Sequence, residues 1–171
     1  DMAQFEKMIE MADKKVGKIL DKIKSTGLEG NTLIFFTTDH GPEFNRAKMT
    51  LYDPGIKVAS IFKWPGKISK NKVLTGMYSN IDILPTILDL AGITIPEFIQ
   101  GESFKGSLTG REERSRDYLI AEKTYHVIYD PMRCIRTDDY KYISNYKPAV
   151  PIQVSVQHSY RMGFDLAGQL Y

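Results

Sequence analysis

The 171 residues are 42% hydrophobic and 26% charged, with a formal net charge of +2, the composition of an ordinary globular chain of about one domain. Near-neutral charge without a long Lys/Arg block argues against a nucleic-acid partner, and no apolar run approaches the ~20 residues of a membrane span. Cys134 is the single cysteine, which excludes an internal disulfide and a cysteine-based zinc cluster. The chain opens at Asp1 with no signal-peptide pattern and with a periodic helix already under way, so it is expected to be a piece of something longer.

Met2, Phe5, Met8, Ile9, Ala12, Val16, Ile19, Leu20 and Ile23 recur at three- and four-residue steps, which predicts an amphipathic helix stopped by Gly27 and Gly30. Residues 32–38, with two Phe, an Ile and three Thr, read as a buried strand with Phe35 and Phe36 in the core. Val58 to Trp64, closed by Pro65-Gly66, reads as a second strand. A helix over "DILPTILDLAG", capped by Asn80 or Asp82 and with Pro85 in its first turn, is expected to end at Gly92. Pro96 to Arg116, rich in Gly, Ser and charge, reads as surface loop. Tyr118–Glu122, Met132–Thr137 and Lys141–Ser144 then alternate as strands, the last two joined in an antiparallel hairpin by Asp138-Asp139. This order predicts an α/β layer over residues 1–124 followed by a small antiparallel α+β subdomain over 125–171.

In "NTLIFFTTDHGPEF" the apolar strand runs directly into Asp39, His40 and Gly41. Ligands in open α/β sheets lie beyond the carboxyl ends of strands. An acid beside an imidazole offers an oxygen and a nitrogen to a divalent cation, and Gly41 is expected to let the backbone turn sharply away. The plainer alternative is a turn-capping Asp39 and a solvated His40. Two donors do not make a metal site by themselves.

The ordered set "TTDHG", Lys48, "TLYDPGIKVASIFKWPG", "SNIDILPTILDLAGI" and "PMRCIRTDDYKYISNY" resembles the C-terminal half of the sulfatase family, over most of the chain. "HVIYDPMRCIRT" and "NYKPAVP" are similar to the heparan N-sulfatase (sulfamidase) branch. The resemblance implies a partial alkaline-phosphatase-like α/β fold, with Asp39 and His40 as two calcium ligands at the strand ends, although many relatives carry Asn at the position of His40. It implies that Lys48 holds sulfate oxygens, where sulfamidases carry Arg. A cation and a lysine in a water-poor site would stabilise the negative charge of a transferring sulfate. The plainer reading of Lys48 is an exposed loop lysine.

The family's nucleophile, a formylglycine made within a Cys/Ser-x-Pro/Ala-x-Arg signature, and the remaining calcium ligands are absent from these residues. Cys134, in "MRCIRTDD", does not fit the signature and reads as a small buried side chain. The resemblance therefore implies half an active site, inactive without an upstream half, for a sulfated small molecule or glycan. His126 and Arg133 are further candidates for substrate binding, against a loop histidine and an arginine paired with a carboxylate. Tyr52, Trp64, Tyr140 and Tyr142 read as packing residues, and His158 carries no functional expectation. Two other readings stand beside this one. One is a phosphodiesterase or phosphonate hydrolase of the same superfamily, for which His40 suits a transition metal. The other is a non-catalytic fragment.

Overall fold

The computed structural model describes residues 2–44, 46–112, 116–126 and 129–149; His158 and the rest of 150–171 lie outside them. The first helix, α1, runs Met2–Ser25, with Lys22 and Lys24 in its last turn, where cations complement the carbonyl end of a helix. Gly27 follows at φ 72°. None of the residues of α1 is fully buried: along its apolar stripe Phe5, Val16, Leu20 and Ile23 are half-buried, while Met8, Ile9 and Ile19 are exposed. Phe5 touches Phe44 edge-on, ring centroids 5.0 Å apart.

Strand β1, Ile34–Thr37, pairs antiparallel with β2, Ser60–Lys63, and among the described residues the two form a two-stranded sheet. Strand alternation splits the four aromatic and aliphatic residues between faces. Phe35 stacks on Phe62 at 4.3 Å and Phe62 meets Phe104 edge-on at 5.6 Å. Their neighbours Phe36 and Ile61, paired across the strands, are exposed. The expectation of a buried strand with Phe36 in the core is therefore corrected: only one face of β1 is covered.

Between the strands lies a single turn of helix, α2, Asp53–Ile56, with Pro54 in its first turn. A 3-10 turn, Asn80–Asp82, leads into α3, Ile83–Leu90. The N-cap of α3 is Asp82, one of the two expected, but its side chain does not bond to the N–H groups of α3; instead the Ser79 side chain and the Asp82 carboxylate satisfy each other's backbone N–H groups in a capping box around the 3-10 turn. Residues 96–116 are not simply surface loop. They contain α4, Lys105–Thr109, ended by Gly110 at φ 76°, with Phe104, Ser107 and Leu108 buried. Phe104 and Leu108 are spaced one helical turn apart, and that short apolar pair was hidden by the surrounding polar composition. Lys105 Nζ holds the Asp89 carbonyl at 2.7 Å and its carboxylate at 2.8 Å, tying α4 to α3.

The last three strands, β3 (Leu119–Tyr125), β4 (Tyr129–Arg136) and β5 (Lys141–Asn145), form an antiparallel sheet in chain order. This sheet begins at Leu119, six residues ahead of the expected boundary at 125. The Asp138-Asp139 hairpin is present as expected, Arg136 pairing with Lys141. Ala121, Cys134 and Ile143 lie in one row across the sheet and, with Met132, pack on Leu51 and Ile56. Cys134 is buried there, as its residue type suggests. The opposite face carries the row Ile120, Ile135 and Tyr142. Tyr142 and Tyr140 are exposed, so they are not the packing residues that strand alternation suggested. No helix among the described residues is long and apolar enough to cross a membrane.

Candidate metal and anion site

The end of β1 delivers Asp39 and His40 as neighbours. His40 N–H donates to Asp39 Oδ1 at 3.0 Å, and His40 Nε2 lies 3.4 Å from Asp39 Oδ2. His40 Nδ1 is 2.6 Å from the Gly41 carbonyl oxygen, which only accepts, so Nδ1 carries a proton. The Asp39 side chain is 85% exposed and that of His40 40%.

Gly41 is needed for a reason other than the expected turn: its φ is not positive. Its N–H donates to Gly55 O at 3.0 Å, and a Cβ at this position would stand 1.6 Å from the Pro54 carbonyl oxygen. Gly55 in turn has no room for a side chain, because a Cβ would fall 2.3 Å from Ala47 O and 2.5 Å from Thr50 O. Through this pair of glycines α2 is wedged between the Asp39-His40 segment and the turn that carries Lys48.

That turn is tight. Phe44 N–H and Lys48 N–H both donate to the Pro42 carbonyl, at 2.8 and 3.0 Å. Arg46 and Met49 hold φ of 61° and 69°, the left-handed region that costs a non-glycine residue about 1–2 kcal/mol. Arg46 lies over the Tyr52 ring, 4.6 Å from its centroid. Lys48 Nζ donates to Glu43 Oε1 at 2.6 Å, both side chains partly buried. Lys48 is thus a held, partly buried cation and not a free loop lysine.

The other two candidates are placed differently. His126 is exposed, just past the end of β3. Arg133 lies on the face of β4 opposite Met132 and Cys134. Its Nε is 2.9 Å from Glu122 Oε2 and its Nη1 donates to the carbonyls of Met132 and Lys123 at 2.9 and 3.3 Å. The Asp39-His40 segment and the Lys48 turn both pack on α2 through Gly41 and Gly55, whereas Arg133 lies on the far side of the sheet from Leu51.

Two sets of ionic contacts were not anticipated: the inward lysines of the β3–β5 sheet, and a cluster around Asp82. Lys123, on the inner face of β3, pairs with the buried Asp130. Lys141, on β5, pairs with Asp53 of α2. The signal available in the sequence was parity: Lys123 and Lys141 fall at strand positions whose neighbours two residues away, Ala121 and Ile143, are the inward ones. The second set centres on Asp82, whose carboxylate accepts from Arg116 Nε at 2.9 Å, Ser79 N at 2.9 Å and Glu102 N at 2.8 Å. Burial pushes the Asp82 carboxyl up, but the Arg116 hydrogen bond, the two backbone N–H groups and the Arg116 charge outweigh it and hold it below the usual carboxylate range. The small cavity beside it, about 10 Å³ and lined by Met77, Tyr78, Ser103 and Phe104 among others, is at the lower limit for one water. This cluster is a structural joint between the start of α3, residues 101–104 and Arg116.

For a divalent cation the Asp39-His40 pair fits as part of a shell. Two donors each about 2.4 Å from an ion and at right angles are about 3.4 Å apart, and the Oδ2 to Nε2 separation is 3.4 Å. Among the described residues no three His, Cys, Asp or Glu side chains converge. A calcium ion, with its about six to eight oxygen ligands, would need the rest of its shell from elsewhere.

Residues 42–153 match the family described as N-sulphoglucosamine sulphohydrolase, C-terminal. The chain belongs to the sulfatase family. It is 33% identical to an ulvan-active sulfatase of Formosa agariphila over 86% of its own length and 24% of that relative's. A solved structure of a protein in complex with its substrate D-glucosamine-2-N,6-O-disulfate superposes with a TM-score of 0.74 at 26% identity, covering 82% of this chain and 30% of that one. A phosphonate monoester hydrolase from Silicibacter pomeroyi gives a TM-score of 0.59 at 22% identity, over 88% of this chain and 36% of that one, a likeness of fold alone. The fold is thus part of the alkaline-phosphatase-like α/β architecture, and the chain spans about a quarter of the relative's length.

Proposed function

We propose that the complete protein hydrolyses a sulfate ester or a sulfamate on a sugar, and that these residues supply one half of its active site. The observation that carries this reading is the packing of Gly41 and Gly55, which sets the Asp39-His40 pair and the Lys48 turn against the same short helix. Asp39 Oδ2 and His40 Nε2 hold two corners of a cation site, the His40 tautomer being fixed by its bond to the Gly41 carbonyl. Calcium, when bound, supplies positive charge against the sulfate oxygens. Lys48 adds a second positive charge, and its bond to Glu43 orients the ammonium. The nucleophile, a formylglycine, and the other calcium ligands come from outside these 171 residues, in an upstream half. The sulfated-sugar substrate is supported by the relatives' own descriptions and by the family match.

Arg133 lies on the outer face of β4, away from Leu51 and the Lys48 turn, where it pairs with Glu122, and exposed His126 is the better candidate to reach a sugar. The test is sulfate release by the complete protein from a panel of sulfated monosaccharides that includes N- and O-sulfated glucosamine, beside a phosphonate monoester. Sulfate release that a calcium chelator abolishes is the expected result. Cleavage of the phosphonate with no release of sulfate would overturn it in favour of a phosphonate hydrolase.

A further inference from the structure

The sheet face that packs on Leu51 carries Lys123, Arg136 and Lys141, and all three reach the segment that follows Lys48. Lys123 Nζ donates to the Met49 carbonyl at 3.0 Å. Lys141 Nζ donates to the Leu51 carbonyl at 2.9 Å and pairs with Asp53, from which Arg136 Nε is 3.5 Å. The Lys123 and Lys141 side chains are only 13% and 15% exposed. Covering Leu51 needs no inward cation, since an aliphatic side chain of the same length packs without desolvating a charge; Lys123 also neutralises the buried Asp130, but the counter-charge of Lys141 and Arg136 is the half-exposed Asp53. These cations fix residues 49, 51 and 53 in succession. Met49, next to Lys48, has the left-handed φ of 69°, and the Lys123 bond sets the direction of its carbonyl.

We propose that Lys123 and Lys141 are positioning residues for Lys48: from β3 and β5 they clamp the backbone just after it, so that its ammonium meets the sulfate in one orientation. The inference rests on the reading of Lys48 as the sulfate-holding cation. Neither lysine touches the reacting atoms. The small C-terminal sheet thereby becomes part of the catalytic apparatus, acting through the chain segment it grips.

The test uses the complete protein and a sulfated monosaccharide that the wild type turns over, with Lys141→Met, Lys48→Ala and the double variant. For Lys141→Met, kcat should fall about 10- to 100-fold, the scale of a small misplacement of a catalytic group, with KM changed by less than about threefold. Added to Lys48→Ala, the same substitution should cost less than about twofold more, because a positioning residue has nothing left to position. Amide exchange over residues 47–52 should also quicken in Lys141→Met. Should that variant fail to fold, Asp53→Asn removes the charged partner at unchanged shape, and a several-fold fall in kcat that vanishes in the Lys48→Ala background is then expected. Wild-type kcat in the clamp variant, or losses that multiply with Lys48→Ala, would overturn the positioning role. Full activity of Lys48→Ala alone would overturn the reading of Lys48 beneath it, a separate result.

Discussion

In the β1–β2 sheet the cross-strand pair Phe36 and Ile61 is 39% and 60% exposed, whereas in the β3–β5 sheet Met132 and Cys134 are 8% and 4% exposed beneath Leu51. The polar residues follow the same division. Asp39, at the end of β1, is almost fully open, while Asp130, on β4, is buried against Lys123. The second sheet has one face covered by Leu51 and Ile56 and finds its counter-charges within the chain, while its other face, with Ile120, Ile135 and Tyr142, is as open as that of Phe36 and Ile61. The first holds Asp39 and His40 at its end and an apolar face with little against it. The proposed site and the buried core therefore belong to different sheets, joined by α2 and the two glycine contacts; the second sheet bears on the proposed chemistry only through the segment it grips, and the two kinds of residue should respond differently to mutation.

The largest expected loss of stability is at Lys123. Lys123→Ala leaves Asp130 buried with no cation, and breaking a buried pair from one side costs about 3–5 kcal/mol; one carboxylate oxygen of Asp130 already has no hydrogen-bond partner among the described residues. Urea unfolding of the variant measures this, and Lys123→Met combined with Asp130→Asn should recover most of the loss. Lys48→Ala should do the reverse. In the complete protein it should lower kcat by two to three orders of magnitude, about 3–4 kcal/mol in activation free energy, with the Tm nearly unchanged.

Much of this division was legible in the sequence, in unequal parts. The "TTDHG" step from apolar strand to acid and imidazole placed Asp39 and His40 side by side at the end of β1, because a strand end and two adjacent donors are both written locally. The reason for Gly41 was not legible: the demand comes from Pro54, a residue brought close only by folding. Phe36 was misplaced because alternation says which residues share a face and not whether anything covers that face. The helix α4 escaped notice because Phe104 and Leu108 sit among Gly, Ser and charged residues, whose composition reads as loop. Lys123 and Lys141 were passed over because charge at inward strand positions is rare, and rarity is a signal only once the strand parity is known.

Asp82 gives a smaller, pH-dependent effect. Its carboxyl is held below the usual range in the folded chain, so it stabilises the fold above the ordinary aspartate pKa, and that contribution is lost as pH falls through the lowered folded value. Arg116 and Glu102 are the charged groups around it, and Arg116 keeps its charge throughout. The stability gap between wild type and Asp82→Asn should thus narrow as urea unfolding is repeated from neutral to strongly acid pH. The smallest effect should be at Ile61. Ile61→Thr on the open face should change the stability of the 171-residue chain by no more than about 0.5 kcal/mol, and it should be more costly in the complete protein if an upstream half covers that face.

The central claim, that Asp39, His40 and Lys48 serve one calcium-dependent sulfate-cleaving centre, is tested most directly by titrating calcium into the metal-free complete protein and its Asp39→Ala variant in a calorimeter, with sulfate release followed on the same samples. Loss of calcium binding and of sulfate release together, at an unchanged metal-free Tm, is the predicted result. Calcium binding and sulfate release at wild-type levels in Asp39→Ala would contradict it.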